Sequence, residues 1–570
     1  MKVYPTDGIR NIALVGHGGT GKTSMAEAMI YNTGVIKRLG KVDDGNTVAD
    51  YLPEEIKKKI TISTSLVPCE YKNCKINILD TPGYADFYFE VCGALRVVDS
   101  MLLLFSATAG VEVQTQIIWE ENPDIPKFVF INKMDRENAD FNKVLTQIKS
   151  TFADNIVPLQ LPIGSEDSFK GVVDLLTMKA YIFEAGSGKA TIEEIPAEML
   201  DDVEMYKMEL IEAAAEANDD LLTRYLDGEE LSDKEILQGV KEAASSGSTV
   251  FVLCGSALRN IGVQPVMDFM VECSPTPDCN RMIAGQDIQN LPFSALVFKT
   301  IADPYIGRLN MFRIFTGKLK ADSVVYNATK EKDEKITQLL VMTGKEQNSV
   351  PELNAGDIAA VAKLAVTNTS DTLTVKSNPN LLNPIEFPTP TLSTAIEPKS
   401  KGDEDKLSGA LQRLMEEDPT ITVEKNIETH QTIMKTMGDT HMDIIIDKLS
   451  RKFGVDVITK EMRIPYRETI KATVEVEGKH KKQSGGHGQY GHVWIKFEPN
   501  DEEDFKFEEN VFGGSVPRNY FPAVEKGLME ALDEGVLAGY PVTRIKATLY
   551  DGSYHSVDSS EMAFKMAAKL

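Results

Sequence analysis

Short, almost wholly apolar runs recur through the first half of the chain, and each is followed by a loop of small or polar residues. The clearest are Ile12 to Val15, Ile76 to Leu79, Ser100 to Phe105, Phe128 to Ile131 and Val250 to Cys254. Such runs are typical of strands that are buried on both faces. After the first run, Thr23 to Tyr31 has apolar residues at helical spacing. The pattern predicts an open α/β sheet whose loops converge at the carboxyl ends of its strands.

The loop after the first run carries a phosphate-binding motif. Asn11 to Ser24 reads NIALVGHGGTGKTS and fits G-x-x-x-x-G-K-[ST]. Glycines let backbone amides approach an anion closely, and the following helix adds the positive end of its dipole. In this motif the lysine spans the β- and γ-phosphates, and the hydroxyl binds Mg²⁺. The candidate nucleotide-binding residues are Gly16, His17, Gly18, Gly19, Thr20, Gly21, Lys22, Thr23 and Ser24.

Two further loops have the residues of a γ-phosphate sensor. Thr61 lies between the phosphate loop and the second run, where switch GTPases place a threonine that joins Mg²⁺ when the γ-phosphate is present. The second run ends in the D-x-x-G arrangement, Asp80 to Gly83. Its carboxylate can hold Mg²⁺ through water, and its glycine amide can approach a γ-phosphate closely. We therefore expect Thr23, Thr61 and Asp80 at a Mg²⁺ site.

The last two runs end in residues suited to reading a guanine base. Asn132, Lys133 and Asp135 form the N-K-x-D pattern. An aspartate accepts hydrogen bonds from N1 and N2 of guanine, whereas adenine has an acceptor at N1 and no amino group at C2, so the wrong base leaves buried groups unpaired. A metabolic kinase or ATPase does not need residues that select guanine, so these classes are disfavoured. The candidate contacts after the last run are Ser256, Ala257 and Leu258.

The remaining sequence predicts further domains, as expected for 570 residues. The gap between Asp135 and Ser256 is too long for one βα unit and contains an acidic helical tract, Pro196 to Ser246, which predicts an inserted subdomain. Leu291 to Val366 has short β-branched runs punctuated by glycine, as in a barrel. Thr391 to Val457 alternates strand and amphipathic helix, which predicts a small α+β domain.

Composition narrows the function classes. The formal net charge of −25 argues against indiscriminate nucleic-acid binding, because phosphate attraction dominates such binding. The six cysteines are scattered, which favours reduced thiols over disulfides or a zinc site. No run approaches the roughly 18 apolar residues that span a bilayer, and the first residues have no apolar signal core. We therefore expect a cytoplasmic protein without a membrane partner.

The entire chain resembles the translational GTPases, and within them the elongation factor G family. Beyond the nucleotide motifs, the resemblance rests on PFSALVFKTIADPYIGRLNMFRIFTG (292–317), TMGDTHMDIIIDKLSRKFGVDV (436–457), YRETI (466–470), QSGGHGQYGHV (483–493) and DGSYHSVDSSEMAF (551–564). It implies GTP or GDP with Mg²⁺ as bound ligands and a multidomain α/β fold.

The family's domain order gives expected boundaries for this chain. They are a P-loop GTPase domain over 1–280 with a subdomain inserted at about 160–248, a β-barrel domain II over 288–382, a ferredoxin-like α+β domain III over 388–463, and a ribosomal-protein-S5-like domain IV over 464–570. Domain V of the family has no counterpart, and the sequence ends in mid-helix at AFKMAAKL. We therefore expect a C-terminally truncated chain in which domain IV is incomplete at its C-terminus and domain V is absent.

The resemblance also implies a ribosomal partner. Domain IV of the family reaches into the ribosomal decoding region, so contacts with ribosomal RNA, tRNA and mRNA are expected, with the protein acting as a monomer. A glycine-rich loop beside cations can lay amides against RNA phosphates and stack rings on bases, although an ordinary hairpin turn is the alternative interpretation. The candidate contacts are Ser484, Gly485, Gly486, His487, Gly488, Gln489, Tyr490 and His555.

Tyr84 departs from the family's pattern. It follows D-T-P-G, where the family has a histidine that positions the attacking water, and a phenol is neutral and longer. With Lys22, Thr61 and Gly83 it completes the expected catalytic set, with slower or differently activated hydrolysis. Gly19 stands where the family commonly has aspartate, so together these differences indicate a paralogue of the housekeeping factor.

Two functions fit these observations. One is a GTPase whose hydrolysis of GTP drives or assists movement of tRNA and mRNA on the ribosome. The other is a weakly hydrolysing, GTP-controlled ribosome-binding factor that acts in ribosome recycling, protection or regulation. The set of domains favours the first function, and Tyr84 favours the second.

Overall fold

The computed structural model describes residues 2–152, 155–279, 287–303, 307–426, 428–483 and 488–570. The chain forms two compact units, one made of residues 1–424 and 432–460 and the other of residues 425–431 and 461–570. Across the described ranges, no helix combines the length and apolar composition needed to span a membrane.

The N-terminal domain, residues 2–279, contains two sheets. Its strands are β1 (Ile9–Val15), β2 (Ser65–Tyr71), β3 (Cys74–Asp80), β4 (Ser100–Ser106), β5 (Lys127–Asn132), β6 (Ile156–Pro158), β7 (Gln160–Ile163), β8 (Gly171–Asp174), β9 (Lys179–Phe183), β10 (Ala190–Glu193) and β11 (Val250–Cys254). The central sheet has the order β2-β3-β1-β4-β5-β11-β6. In it β2 is antiparallel to β3, and the other pairs are parallel. Loops that follow β1, β3, β5 and β11 therefore meet at one edge.

Nine helices of the described residues cover these sheets. They are α1 (Lys22–Asn32), α2 (Pro53–Lys58), α3 (Tyr88–Leu95), α4 (Val113–Glu121), α5 (Phe141–Phe152), α6 (Leu200–Glu216), α7 (Asp219–Leu226), α8 (Asp233–Ser246) and α9 (Val263–Cys273). The acidic tract forms α6, α7 and α8, which follow the antiparallel sheet β10-β9-β8-β7 along the chain. Helix α8 begins at a capping box between Ser232 and Glu235 and ends at Gly247, which has φ of 72°.

Every apolar run named in the sequence lies in a strand of the central sheet, but the β-branched residues 60–64 do not form a strand. Helix α2 ends at Lys58, because Lys59 has φ of 57°. The amides of Ile62 and Ser63 then donate to the carboxylate of Glu55, and the amide of Thr64 donates to Glu90. Since side chains satisfy these donors, the segment needs no partner strand.

The barrel, residues 287–382, follows as β-structure in agreement with its glycine-punctuated sequence. Its strands are β12 (Ser294–Asp303), β13 (Gly307–Thr316), β14 (Lys318–Lys320), β15 (Ser323–Asn327), β16 (Lys332–Ile336), β17 (Leu339–Thr343), β18 (Glu346–Val350), β19 (Glu352–Asn354), β20 (Ile358–Ala362) and β21 (Thr372–Thr374). The order β16-β15-β21-β12-β13-β20-β17-β18 encloses a separate apolar core that includes Val297, Phe312 and Val341.

The third domain, residues 387–460, is an α+β layer. It contains β22 (Leu392–Pro398), α10 (Lys401–Glu417), β23 (Thr422–Lys425), β24 (Thr432–Thr436), α11 (Asp439–Phe453) and β25 (Val457–Lys460). The sheet order is β23-β24-β22-β25. Leu407 and Leu411 of α10 and Ile445 and Leu449 of α11 pack on this sheet at helical spacing.

The fourth domain belongs to the second compact unit. It contains β26 (Val474–Lys482), β27 (Gln489–Pro499), β28 (Phe505–Glu509), α12 (Phe521–Leu532), β29 (Ile545–Ser553) and α13 (Glu561–Lys569). The order β26-β27-β29-β28 includes one parallel pair, β28 with β29. Val493, Val524 and Phe564 lie in its core.

Two buried ion pairs join the N-terminal domain to the barrel. Lys75 Nζ lies 2.6 Å from Asp357 Oδ1, and Arg313 Nη2 lies 2.5 Å from Asp99 Oδ1. All four side chains are at most 3% exposed. Apolar side chains from both domains, including Phe315 of the barrel, share one continuous core around these pairs. The two domains are therefore packed as one body.

We expect Lys75→Met to lower the free energy of unfolding by about 3–5 kcal/mol, because it leaves the Asp357 carboxylate buried without its cation. Urea unfolding, followed by tryptophan fluorescence, measures the change. The matched control is Lys320→Met, at an exposed position of the barrel. A loss of stability no larger than that of the control would contradict the importance of the pair.

Candidate nucleotide-binding site

The loop between β1 and α1 has the backbone geometry of a phosphate cradle. Gly16, Gly19 and Gly21 have φ of 139°, 78° and 100°, values in the left-handed region that favours glycine. A Cβ on Gly16 would lie 2.6 Å from the carbonyl oxygen of Leu104. Gly21 caps the N-terminus of α1, so the amides of the first helical turn, which have no partner within the helix, lie next to this loop.

The other residues of this loop fix its shape or line its mouth. Thr20 Oγ1 donates to the carbonyl of His17 at 3.0 Å, and the amide of His17 donates to Thr115 Oγ1 at 2.9 Å. Gly18 and Ser24 are partly exposed and Gly19 is exposed, with no heavy atom within 4 Å of the place where its Cβ would stand.

Asn132 holds the loop to the rest of the sheet edge. Its side-chain amide donates to the carbonyl of Thr20 at 2.8 Å, and its side-chain oxygen accepts from the amide of Ala257 at 2.9 Å. A Cβ on Gly21 would clash with the same amide nitrogen. One buried side chain therefore positions the loops that follow β1 and β11.

Lys22 and Gly83 come together at the centre of the site. Lys22 is buried, and its Nζ donates to the carbonyls of Gly16 and His17 at 2.9 and 2.8 Å. Burial lowers the pKa of Lys22 to about 8. A Cβ on Gly83 would lie 2.7 Å from both the Gly18 nitrogen and the His17 oxygen. The close approach of the two loops thus requires glycine at 83.

Tyr84 lies over the phosphate loop. A Cβ on Gly18 would stand 3.1 Å from Cε2 and 3.2 Å from Cζ of the Tyr84 ring. The side chain remains 47% exposed. Its phenol is therefore beside the predicted γ-phosphate position and accessible to water.

The three predicted Mg²⁺ ligands are neighbours, and the structure places a fourth residue, the acidic Asp50, beside them. Thr23 Oγ1 lies 2.9 Å from Thr61 Oγ1. Asp80 and Asp50 are buried, and no oxygen of either carboxylate has a hydrogen-bond partner among the described residues. The Thr23 hydroxyl is still near enough to favour the charged form of Asp80, and the Thr61 hydroxyl is near enough to favour that of Asp50. Burial and the charge of Asp50 raise the pKa of Asp80 well above its usual range, and burial raises the pKa of Asp50 to about 6. Hydroxyls and buried carboxylates without hydrogen-bond partners fit a hard divalent cation.

Asp50 was missed because the sequence between residues 40 and 60 lacks a recognised motif. Asp50 lies in a loop that is held by the buried Glu27 of α1. The amide of Val48 in this loop donates to Oε1 of Glu27 at 2.6 Å. Several acidic residues lie between the phosphate loop and Thr61, and any of them could have been proposed as a ligand from the sequence. Only the folded chain shows that Asp50 is the one that reaches the site.

The residues predicted to read guanine also lie together. Asp135 is 8% exposed, and its Oδ2 is 3.1 Å from Nε of Arg259, a residue that the sequence analysis did not single out. Lys133 has φ of 65°, and burial together with the charge of Arg136 lowers its pKa. Ser256 is buried, while Leu258 is 40% exposed.

The loop that carries Tyr84 also contacts the third domain. The amide of His441, in the first turn of α11, donates to Asp86 Oδ2 at 3.1 Å. A Cβ on Gly438 would lie 2.6 Å from Asp86 Oδ1. Asp86 therefore caps the N-terminus of a helix in another domain. His441 is buried between Phe87 and Phe89, with its Nε2 2.7 Å from Asp418 Oδ2.

Of the candidate ribosome contacts, Ser484, Gly485, Gly486 and His487 lie outside the described residues. The amide of Gly488 donates to Asp558 Oδ1 at 2.9 Å, and His555 Nδ1 lies 3.3 Å from Asp558 Oδ2. The Tyr490 hydroxyl is 2.8 Å from Ser553 Oγ, and Gln489 Oε1 is 3.0 Å from the buried ring of His480. Asp558 thus brings the two predicted contact loops together.

The central sheet, the glycine-rich loop and the strand-end motifs define a P-loop GTPase. Four family models match the chain: the elongation factor Tu GTP binding domain over residues 7–276, and elongation factor G domain 2 over 292–376, domain III over 387–461 and domain IV over 462–570. The chain belongs to the elongation factor G family of translational GTPases. Its multidomain fold is the one that the family resemblance implied.

Individual relatives agree with the family models. The chain is 43% identical over 581 aligned residues to elongation factor G from Thermotoga petrophila, covering 99% of this chain and 84% of the relative. The same values apply to elongation factor G from Thermotoga sp. strain RQ2. The crystal structure of a protein from Thermus thermophilus superposes with a TM-score of 0.88 at 36% identity, with 99% of this chain and 84% of that chain covered.

We expect Gly83→Ala to weaken binding of a GTP analogue by about tenfold, because the added methyl group forces two packed loops apart. Equilibrium titration with a fluorescent, non-hydrolysable GTP analogue measures the change. Gly409→Ala, in α10, is the control, because no heavy atom lies within 4 Å of its added Cβ. Unchanged affinity in the Gly83 variant would show that the two loops do not need this close approach.

Proposed function

We propose that this protein binds GTP with Mg²⁺ and hydrolyses it on the ribosome to drive or assist movement of tRNA and mRNA. The observation that carries the proposal is the convergence of the four motif loops at one sheet edge, where Asn132 joins the first to the last. Membership of the chain in a family of translational GTPases supports the reaction and the ribosomal partner. The proposal places the protein with ribosomes in the cytoplasm, acting as a monomer.

In this proposal the phosphate loop and the two switch loops bind the phosphates. The amides of residues 18–22 surround the β-phosphate, and Lys22 moves its donors from backbone carbonyls to phosphate oxygens. Gly83 offers its amide to the γ-phosphate. Mg²⁺, when bound, neutralises charge that develops on the phosphates. Thr23, Thr61 and Asp80 hold it, and Asp50 adds a further carboxylate on the same side.

Asp135 selects the base. Its carboxylate accepts from N1 and N2 of guanine, and Arg259 fixes the orientation of the carboxylate through the contact with Oδ2. The amide of Ala257 donates to Asn132 Oδ1 and shares this hydrogen bond with O6 of guanine when the base is bound. Lys133 lays its stem along the base, with Ser256 and Leu258 on the opposite loop.

Tyr84 takes the position from which the family's histidine orients the attacking water. A neutral phenol donates or accepts one hydrogen bond but gains no proton at neutral pH, so it orients water without the charge of an imidazolium. This difference favours a second candidate function, a GTP-controlled ribosome-binding factor with weak turnover that acts in recycling, protection or regulation.

The fourth-domain loops supply the proposed contacts with ribosomal RNA, tRNA and mRNA. Gly488, Tyr490 and His555 lie near Asp558, and Lys481 and Lys482 are exposed beside them. Backbone amides, cations and rings together suit phosphates and unstacked bases. The acidic charge of the whole chain confines such binding to this local surface.

We expect Asp135→Asn to reduce affinity for GTP by about 100-fold or more and to leave the weak affinity for ATP unchanged, because the amide cannot accept both guanine hydrogen bonds. Competition titrations with GTP and ATP provide the measurement. The control is Asp167→Asn, an exposed carboxylate 3.5 Å from Arg259. Retention of the preference for GTP in the Asp135 variant would refute the base-reading role.

We expect the unaltered protein to hydrolyse GTP slowly alone and faster with purified ribosomes, and Tyr84→His to raise the ribosome-stimulated rate by about tenfold, within the range of general acid–base contributions. Steady-state phosphate release measures both rates. Tyr326→His, in the barrel, controls for the substitution itself. Strong stimulation of the unaltered protein supports the translocation function, whereas negligible turnover that histidine restores supports the weakly hydrolysing factor.

A further inference from the structure

A lysine of the barrel contacts the segment of the N-terminal domain that follows Thr61. Lys299 of β12 is 7% exposed. Its Nζ lies 2.5 Å from Ser63 Oγ and 2.9 Å from the carbonyl oxygen of Thr64. The same atom lies 2.9 and 2.7 Å from the two carboxylate oxygens of Glu90. One buried ammonium group thus contacts three acceptor residues, two in the segment that follows Thr61 and one on α3.

Glu90 also binds the segment of residues 63 and 64. It lies on α3, directly after the loop of Tyr84, and accepts from Ser63 Oγ at 3.0 Å and from the amide of Thr64 at 2.9 Å. Thr64 Oγ1 donates to the backbone carbonyl of Glu90 at 3.1 Å. Residues 63 and 64 are therefore held by both the side chain and the backbone of Glu90. The charge of Lys299 offsets the charge of the largely buried Glu90 carboxylate.

The segment of residues 63 and 64 begins two residues after Thr61. The amides of Ile62 and Ser63 each donate to Glu55 Oε1 at 3.1 Å, and the Thr61 hydroxyl lies 2.9 Å from that of Thr23. Only two peptide units separate Thr61 from Ser63, and consecutive Cα atoms are about 3.8 Å apart, so the position of Ser63 restricts that of Thr61. Displacement of residues 63 and 64 would consequently move Thr61 away from Thr23.

We propose that Lys299 is a positioning residue for γ-phosphate recognition, through which the barrel holds Thr61 in the arrangement that binds GTP. The inference rests on the proposed function, because it concerns the nucleotide of the same site. Thr61 is predicted to act only when the γ-phosphate is present, so a residue that positions Thr61 affects GTP and not GDP. The barrel then contributes to nucleotide discrimination without touching the nucleotide.

The two buried domain-joining lysines permit a matched comparison. Lys75 also joins the N-terminal domain to the barrel and is 1% exposed, but it lies at the start of β3, at the opposite end of that strand from Asp80. Replacing either lysine by methionine leaves a carboxylate that is at most 11% exposed without its cation. Only Lys299 contacts the segment that follows Thr61.

The test measures affinities of the whole chain for a fluorescent, non-hydrolysable GTP analogue and for fluorescent GDP, with Mg²⁺ present. We expect Lys299→Met to weaken binding of the GTP analogue by about tenfold and to change GDP affinity by less than about twofold, a coupling of ordinary size. Lys299→Arg keeps the charge and restores most of the lost affinity. Lys75→Met, compared at equal folded fraction, leaves the ratio of the two affinities unchanged.

Equal losses for both nucleotides in Lys299→Met, or the same change of ratio in Lys75→Met, would overturn the inference. If Lys299→Met does not fold, the double variant Lys299→Met/Glu90→Gln, in which neither charge is left unpaired, is tested for the same ratio. Failure of the unaltered protein to bind either guanine nucleotide would instead refute the proposed function. The two failures are therefore distinguishable.

Discussion

The side chain of Asn132 is the contact on which the geometry of the nucleotide site depends. It satisfies the carbonyl of Thr20 and the amide of Ala257 at the same time, and these belong to loops more than two hundred residues apart in sequence. A buried amide that lost one of these partners would leave an unpaired polar group at the centre of the sheet edge. The parallel strands bring the loops to the same edge, and Asn132 sets the distance between them.

The barrel contributes to this geometry from outside the sheet. The buried pairs of Lys75 with Asp357 and Arg313 with Asp99 fix its position against the N-terminal domain. Buried ion pairs add little net stability compared with well-packed apolar groups, but they tolerate few alternative arrangements. This packing explains how Lys299 can reach residues 63 and 64 with contacts of 2.5 to 2.9 Å.

The strands and the phosphate loop were predictable from sequence because their signals are local. Buried strands read as apolar runs, and the positive φ angles of Gly16 and Gly21 are required by the motif itself. Asp50, Arg259 and Lys299 were not predictable, since each reaches its partner through the fold and not through a neighbouring residue. Residues 60–64 are a second case in which only the fold decides the local structure. Their composition suits a strand, but carboxylates from two helices take the hydrogen bonds that a neighbouring strand would have taken.

Asp86 and Gly438 illustrate how one domain restricts the evolution of another. The carboxylate of Asp86 occupies the space that a side chain at 438 would need, while it caps the helix that starts at Asp439. A larger residue at 438 is tolerated only if position 86 becomes smaller or the loop recedes, and a shorter residue at 86 leaves the helix end uncapped. The two positions, remote in sequence and in different domains, must therefore accept mutations jointly.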